Sequence, residues 1–87
     1  MMLSAEAQDT DAHIHGHVID KATGEHLPYI VVMLKGTTIG VTTEHTGHYM
    51  IRNLPEGSFT VEVSAIGYKT QTRDIQIRRG RSYEVNF

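Results

Sequence analysis

The chain has no cysteine among its 87 residues. That absence excludes disulfides, thiolate metal sites and cysteine nucleophiles. Long hydrophobic runs are missing too. The longest, Tyr29 to Leu34, falls far short of the ~20 residues that a membrane-spanning helix needs. Positive charge is sparse: 8 Lys and Arg stand against 10 Asp and Glu, a net charge of −2. A slightly acidic chain without a Lys/Arg stripe does not fit a basic nucleic-acid surface. Only two prolines and 7% aromatics are present. The length suits one small domain, which buries only about 60% of the surface its unfolded form exposes.

Helical periodicity is lacking, and short alternating runs between Gly-containing turns take its place, the pattern of an all-β chain. Ile14, Gly16 and Val18 fall on one face of the run His13 to Asp20, and His13, His15 and His17 on the other. Lys21 to Glu25 reads as a turn. The second run, Tyr29 to Lys35, points Ile30, Val32 and Leu34 inward and leaves Val31 and Met33 on an outer face. Ile39 to Thr43, His48 to Arg52 and Phe59 to Ala65 follow, the last with Phe59, Val61, Val63 and Ala65 inward. Thr70 to Arg78 and Ser82 to Phe87 complete about seven strands. Sheets with one apolar face satisfy each other face to face. The expected fold is an all-β, Greek-key β-sandwich, with a small barrel as the alternative.

Residues 1–11 read as a polar tail and residues 12–87 as the folded domain. Ala5-Glu6-Ala7 has the small-x-small form of a signal-peptidase site. It is read either as the remnant of a secretory signal ending at Ala7 or as ordinary tail.

One ordered series of motifs runs through the domain. It comprises Ile14-x-Gly16-x-Val18-x-Asp20, Thr23-Gly24-Glu25, Leu27-Pro28 and Val32-x-Leu34-Lys35-Gly36-Thr37. Gly40-x-Thr42-Thr43, Gly47-x-Tyr49-x-Ile51, Leu54-Pro55-x-Gly57-x-Phe59-x-Val61-x-Val63 and Gly67-Tyr68-Lys69 continue it. The series resembles the carboxypeptidase-regulatory-like domain, a transthyretin-like β-sandwich. In particular it is similar to the version that begins many TonB-dependent outer-membrane receptors of Bacteroidota, including SusC-like transporters. Glu44 and Tyr29 depart from the family pattern, which has Asp and Gly there.

The resemblance implies a non-catalytic periplasmic module, exported with its receptor and acting in nutrient transport through protein contacts. Its partners would be the plug and barrel in cis, together with a periplasmic energy-coupling protein or other transport-complex components, with no cofactor and no nucleic acid. An accessory sandwich of a secreted peptidase or adhesin is the alternative. Gly16, Gly47, Tyr49, Leu54, Pro55, Gly57, Gly67 and Tyr68 are read as structural. Gly16 is expected to admit a close neighbour, and the Tyr68 hydroxyl to seek a backbone group.

Six histidines are many for this length. His13, His15 and His17 share a strand face at spacings of about 6.6–6.8 Å. Three neighbours on a straight strand make a poor tetrahedral set for Zn–N bonds of about 2.0–2.1 Å. Two of them with His45 or His48 form a better candidate metal set. The competing reading is a solvated face with adventitious Zn²⁺ or Ni²⁺ affinity. Protonating all six histidines adds six charges and takes the formal charge from −2 to +4, so association with cationic partners is expected to weaken in mild acid.

Catalytic signals are few. Ser4, Ser58, Ser64 and Ser82 lack a nucleophile-elbow context, and Asp74 and Glu84 are isolated carboxylates. Arg73, Arg78, Arg79 and Arg81 form a basic cluster, read as a solvated edge that discourages strand aggregation or as a contact surface for an acidic partner or the following receptor segment.

Overall fold

Side chains on a strand alternate between faces, so period-two apolar residues demand a second layer to cover them. The computed structural model, which describes residues 10–87, shows that arrangement. Seven strands form: β1 (His13–His17), β2 (Val31–Leu34), β3 (Gly40–Thr42), β4 (His48–Ile51), β5 (Gly57–Ser64), β6 (Gln71–Ile77) and β7 (Ser82–Glu84). One sheet has the order β4-β1-β7 and the other β3-β2-β5-β6. Every strand pair is antiparallel except β1 with β7, which run parallel.

The inward residues of both sheets meet in one core. Ile14, Tyr49, Ile51 and Val85 come from the three-stranded side, and Val32, Leu34, Val61, Val63 and Ile77 from the four-stranded side. Ala12, Val18 and Leu54 complete it. Each Val, Leu or Ile so covered contributes about 1.5–3 kcal/mol relative to exposure. Among the described residues no helix is long and apolar enough to cross a membrane.

Gly16 lies on the inward face of β1, where a Cβ would sit 2.0 Å from the Val85 carbonyl oxygen. The expected close neighbour is therefore backbone. The chain after β7 runs on beside β1, with Val85 N–H donating to the His15 carbonyl at 2.9 Å and Phe87 N–H to that of His17 at 3.0 Å.

The strands are shorter than the apolar runs suggest. Tyr29, expected inside the second strand, has φ of 61° and is 70% exposed. Its N–H donates to the Thr43 carbonyl at 2.9 Å. Thr43 is itself buried, and its hydroxyl accepts from Ile30 N–H and donates to the Leu27 carbonyl. These bonds fold the chain into a turn before β2 begins.

The tail expected over residues 1–11 is docked at its end. Thr10 is buried, its hydroxyl donates to the Leu54 carbonyl, and its own carbonyl accepts from Gly80 N–H. Two groups so tied, next to Leu54 in the core, hold the chain against the sandwich from Thr10 onward. The Ala7 cleavage site and the rest of the tail lie outside the described residues.

Candidate functional site

The ends of β1 and β5, the turn after β1 and the last residues of the chain meet at one end of the sandwich. They enclose a cleft of about 480 Å³ whose apolar lining includes Ile19, Leu27, Ile30, Tyr68 and Phe87. The turn is built by Asp20. One of its carboxylate oxygens accepts from Ala22 N–H at 2.8 Å and Thr23 N–H at 3.1 Å, the local bonding that Asp favours in turns. The other accepts from the Tyr68 hydroxyl at 2.9 Å. The Tyr68 hydrogen bond, then those from Thr23 and Ala22, hold the Asp20 carboxyl below its ordinary value of 3.8. The same pairing raises the Tyr68 phenol.

Tyr68 thus bonds a side chain across 48 residues of sequence, and the expected backbone partner is corrected. The Asp20 carboxylate, raised on its turn, offers a charged acceptor that no carbonyl at this rim matches. Ile66, in the same β5–β6 turn, is fully exposed, and Tyr68 is 48% exposed. The rim of the cleft is therefore apolar and open.

Beside this cleft three histidine rings meet. The ring centres of His17 and His26 are 5.3 Å apart, those of His17 and His48 5.6 Å, and those of His26 and His48 5.4 Å. Backbone pairing sets the triangle. His17 and His48 are register partners at the end of the β1–β4 ladder. Val18 N–H donates to the Gly47 carbonyl at 3.0 Å, and Leu27 N–H to the Val18 carbonyl at 2.9 Å. Each histidine is thus next in sequence to a residue of that backbone chain. Gly47, at φ of 82°, is needed here, because a Cβ on it would lie 2.7 Å from the His26 Cβ.

The expected metal set is redrawn by this geometry. His17 and His48 do come together, but neither His13, His15 nor His45 joins them in a ring contact among the described residues. His13 faces Asp11, with its Nε2 3.7 Å from a carboxylate oxygen, and its buried Nδ1 has no hydrogen-bond partner. His15 pairs with Met50 and Glu84 in the ladder, and His45 is exposed in the β3–β4 turn. His26 escaped the sequence reading because it sits in no alternating run. The signal was the turn at Lys21 to Glu25: closing it places residue 26 opposite residue 19, and Ile19 and His26 do form a bridge. Among the described residues no group of three or more His, Asp or Glu side chains is placed to hold a metal ion.

The remaining expected residues are structural in placement. Tyr49 and Leu54 are buried, Pro55 is half-buried in the turn before β5, Gly57 begins β5, and Gly67 lies in the β5–β6 turn. Arg73 reaches back to the chain end, donating to the Asn86 carbonyl at 3.1 Å with its guanidinium 5.4 Å from the centre of the Phe87 ring.

Two packed sheets with β1 and β7 parallel define a transthyretin-like β-sandwich. The family model for the CarboxypepD_reg-like domain matches residues 14–87, and the chain belongs to that family. None of the curated proteins matches it. Its fold is similar to a chain of a type II cohesin–X–dockerin complex from Acetivibrio cellulolyticus, at 17% identity and TM-score 0.64, covering 84% of this chain and 51% of that one. It is also similar to a proposed carbohydrate-binding protein from Bacteroides uniformis, at 22% identity and TM-score 0.63 over 88% of this chain and 40% of that one. A third similar structure is 5-hydroxyisourate hydrolase from Klebsiella pneumoniae, at 16% identity and TM-score 0.63 over 86% and 90%. The chain thus spans about half or less of the first two.

Proposed function

We propose that this domain is the N-terminal periplasmic module of a TonB-dependent outer-membrane receptor for nutrient uptake, and that it works by protein contact without bond-making. The observation that carries the contact reading is the cleft end of the sandwich. Ile66 and Tyr68 stand exposed on one turn, beside a cleft lined by Ile19, Leu27 and Phe87. Exposed apolar groups gathered at the open rim of a cleft suit an anchor from a partner protein. The receptor assignment rests on the ordered motif series and on family membership over residues 14–87.

Coding sequence continuing past Phe87 is expected to encode a plug and a transmembrane barrel. A peptidase or adhesin repeat in that place overturns the receptor reading. The contact reading is tested by replacing Ile66 with a photo-crosslinking amino acid in the full-length protein in intact cells. Cross-linking to the receptor's own plug or to a periplasmic coupling protein is expected. An efficiently exported protein that yields no adduct from residue 66 overturns it.

A second reading, contact with carbohydrate, is favoured by one local feature. The half-exposed Tyr68 ring lies beside the Asp20 carboxylate at the mouth of the cleft, an aromatic face paired with a hydrogen-bond acceptor. Quenching of tyrosine fluorescence by oligosaccharides, abolished in Tyr68→Ala, would support it over the first.

A further inference from the structure

We infer that His17, His26 and His48 form a binding site for a tetrahedral divalent transition-metal ion, Zn²⁺ in the first instance, with one coordination position left open. The inference rests on the size of the ring triangle. With Zn–N bonds of about 2.0–2.1 Å and a ring centre about 1.1 Å beyond the nitrogen, each centre stands about 3.2 Å from the ion, and tetrahedral angles then separate the centres by about 5.2 Å. The three separations here are 5.3, 5.4 and 5.6 Å. The ring centres match that spacing, and the side chains, which present no ion site as they stand, must turn their nitrogens inward to make one.

That turn is cheap. His26 is exposed and His17 half-buried, so rotation about their side-chain torsions displaces little packing, while His48 keeps its bond to Thr46. The Cα positions need not move, because the β1–β4 register and the bonds Val18 to Gly47 and Leu27 to Val18 fix them.

His48 carries its own orienting chain. Its Nδ1 lies 3.2 Å from the Thr46 hydroxyl, and that hydroxyl donates to a Glu44 carboxylate oxygen at 3.3 Å. The Thr46 oxygen is thus left to accept, so Nδ1 carries the proton and the Nε2 lone pair is free for the ion. A hydrogen-bond partner behind a ligand histidine fixes its tautomer and ring orientation. The ion would tie the loop at His26 to β1 and β4. Its fourth position would face solvent at the exposed side of the trio, open to water.

The test titrates the 87-residue chain with ZnCl₂ by calorimetry and follows the imidazole nitrogens by NMR. Uptake of one Zn²⁺ per chain is expected, with shifts at His17, His26 and His48. His26→Gln is expected to lower affinity by about 100-fold, and Thr46→Val, which removes only the orienting hydroxyl, by about 10-fold. The double variant His13→Gln/His15→Gln and the single variant His45→Gln are expected to bind as the parent does. No uptake, or Zn²⁺ shifts confined to His13, His15 or His45, overturns the proposal. The NMR arm uses the unaltered chain, so a variant that misfolds does not shield the proposal from that result.

Discussion

The Tyr49 hydroxyl donates to the Val85 carbonyl oxygen, the same oxygen that leaves no room for a Cβ at Gly16. Gly16 and Tyr49 are register partners on adjacent strands. One bare Cα therefore admits the chain after β7 to the inner side of β1, and the neighbouring phenol satisfies its carbonyl.

Gly16→Ala is expected to be among the most damaging single-methyl additions in the chain. The new Cβ meets backbone at 2.0 Å, and the Val85 segment has no flexible end to yield. A loss of roughly 3 kcal/mol or more is expected, at the top of the overpacking range. Gly24→Ala, with open space around it and φ of 77°, should lose only about 1 kcal/mol. Urea denaturation of both variants measures the contrast.

Tyr49→Phe keeps the ring and leaves the Val85 carbonyl without that donor, an expected cost of about 1–3 kcal/mol. The pH dependence follows from the phenol. Burial pushes Tyr49 up to about 12, against a smaller lowering by Arg73. The folded state thus holds the proton more tightly than the unfolded state, whose phenol titrates near 10. Stability from this group is complete below pH 10 and is lost as pH rises toward 12. Denaturation midpoints across pH 9–12 are expected to fall more steeply in the parent than in Tyr49→Phe.

Thr43→Val tests the turn before β2. The substitution is nearly isosteric but removes a hydroxyl that bonds Ile30 N–H at 2.9 Å and the Leu27 carbonyl at 2.7 Å. A destabilisation of about 2 kcal/mol is expected. Amide exchange at Ile30 should accelerate more than exchange within β5, which distinguishes local loosening from global loss.

The Asp20–Tyr68 contact has a solution signature. The Asp20 carboxyl is held below 3.8, first by the Tyr68 hydroxyl and then by the Thr23 and Ala22 amides. A depressed carboxyl favours the folded state above its unfolded pKa, and that contribution disappears as pH falls through the folded value. Carboxyl NMR should place the Asp20 midpoint under 3.8 in the parent and move it upward in Tyr68→Phe.

Period-two alternation made most of the core legible. Val32 and Leu34, Tyr49 and Ile51, and Val61 and Val63 are inward in sequence and buried in space, because a strand offers only two faces. Gly16 was legible for the same reason, as a missing side chain in an inward slot. What escaped depends on contacts distant in sequence. His26 meets its partners through a closed turn and a bare Gly47, and Thr43 is buried by hydrogen bonds that no alternation encodes. Thr10 docks against Leu54, 44 residues away. Tyr29 looked like strand because its apolar neighbours continue past it, yet its left-handed backbone starts a turn.

The parallel neighbours β1 and β7 have a mechanical consequence. The first and last strands lie side by side and point the same way, joined onward by Val85 to His15, Phe87 to His17 and Ile19 to Phe87. Force drawing the two chain ends apart would slide one strand along the other and load these bonds together in shear, without peeling them in turn. A module wired in this way resists tension along its length.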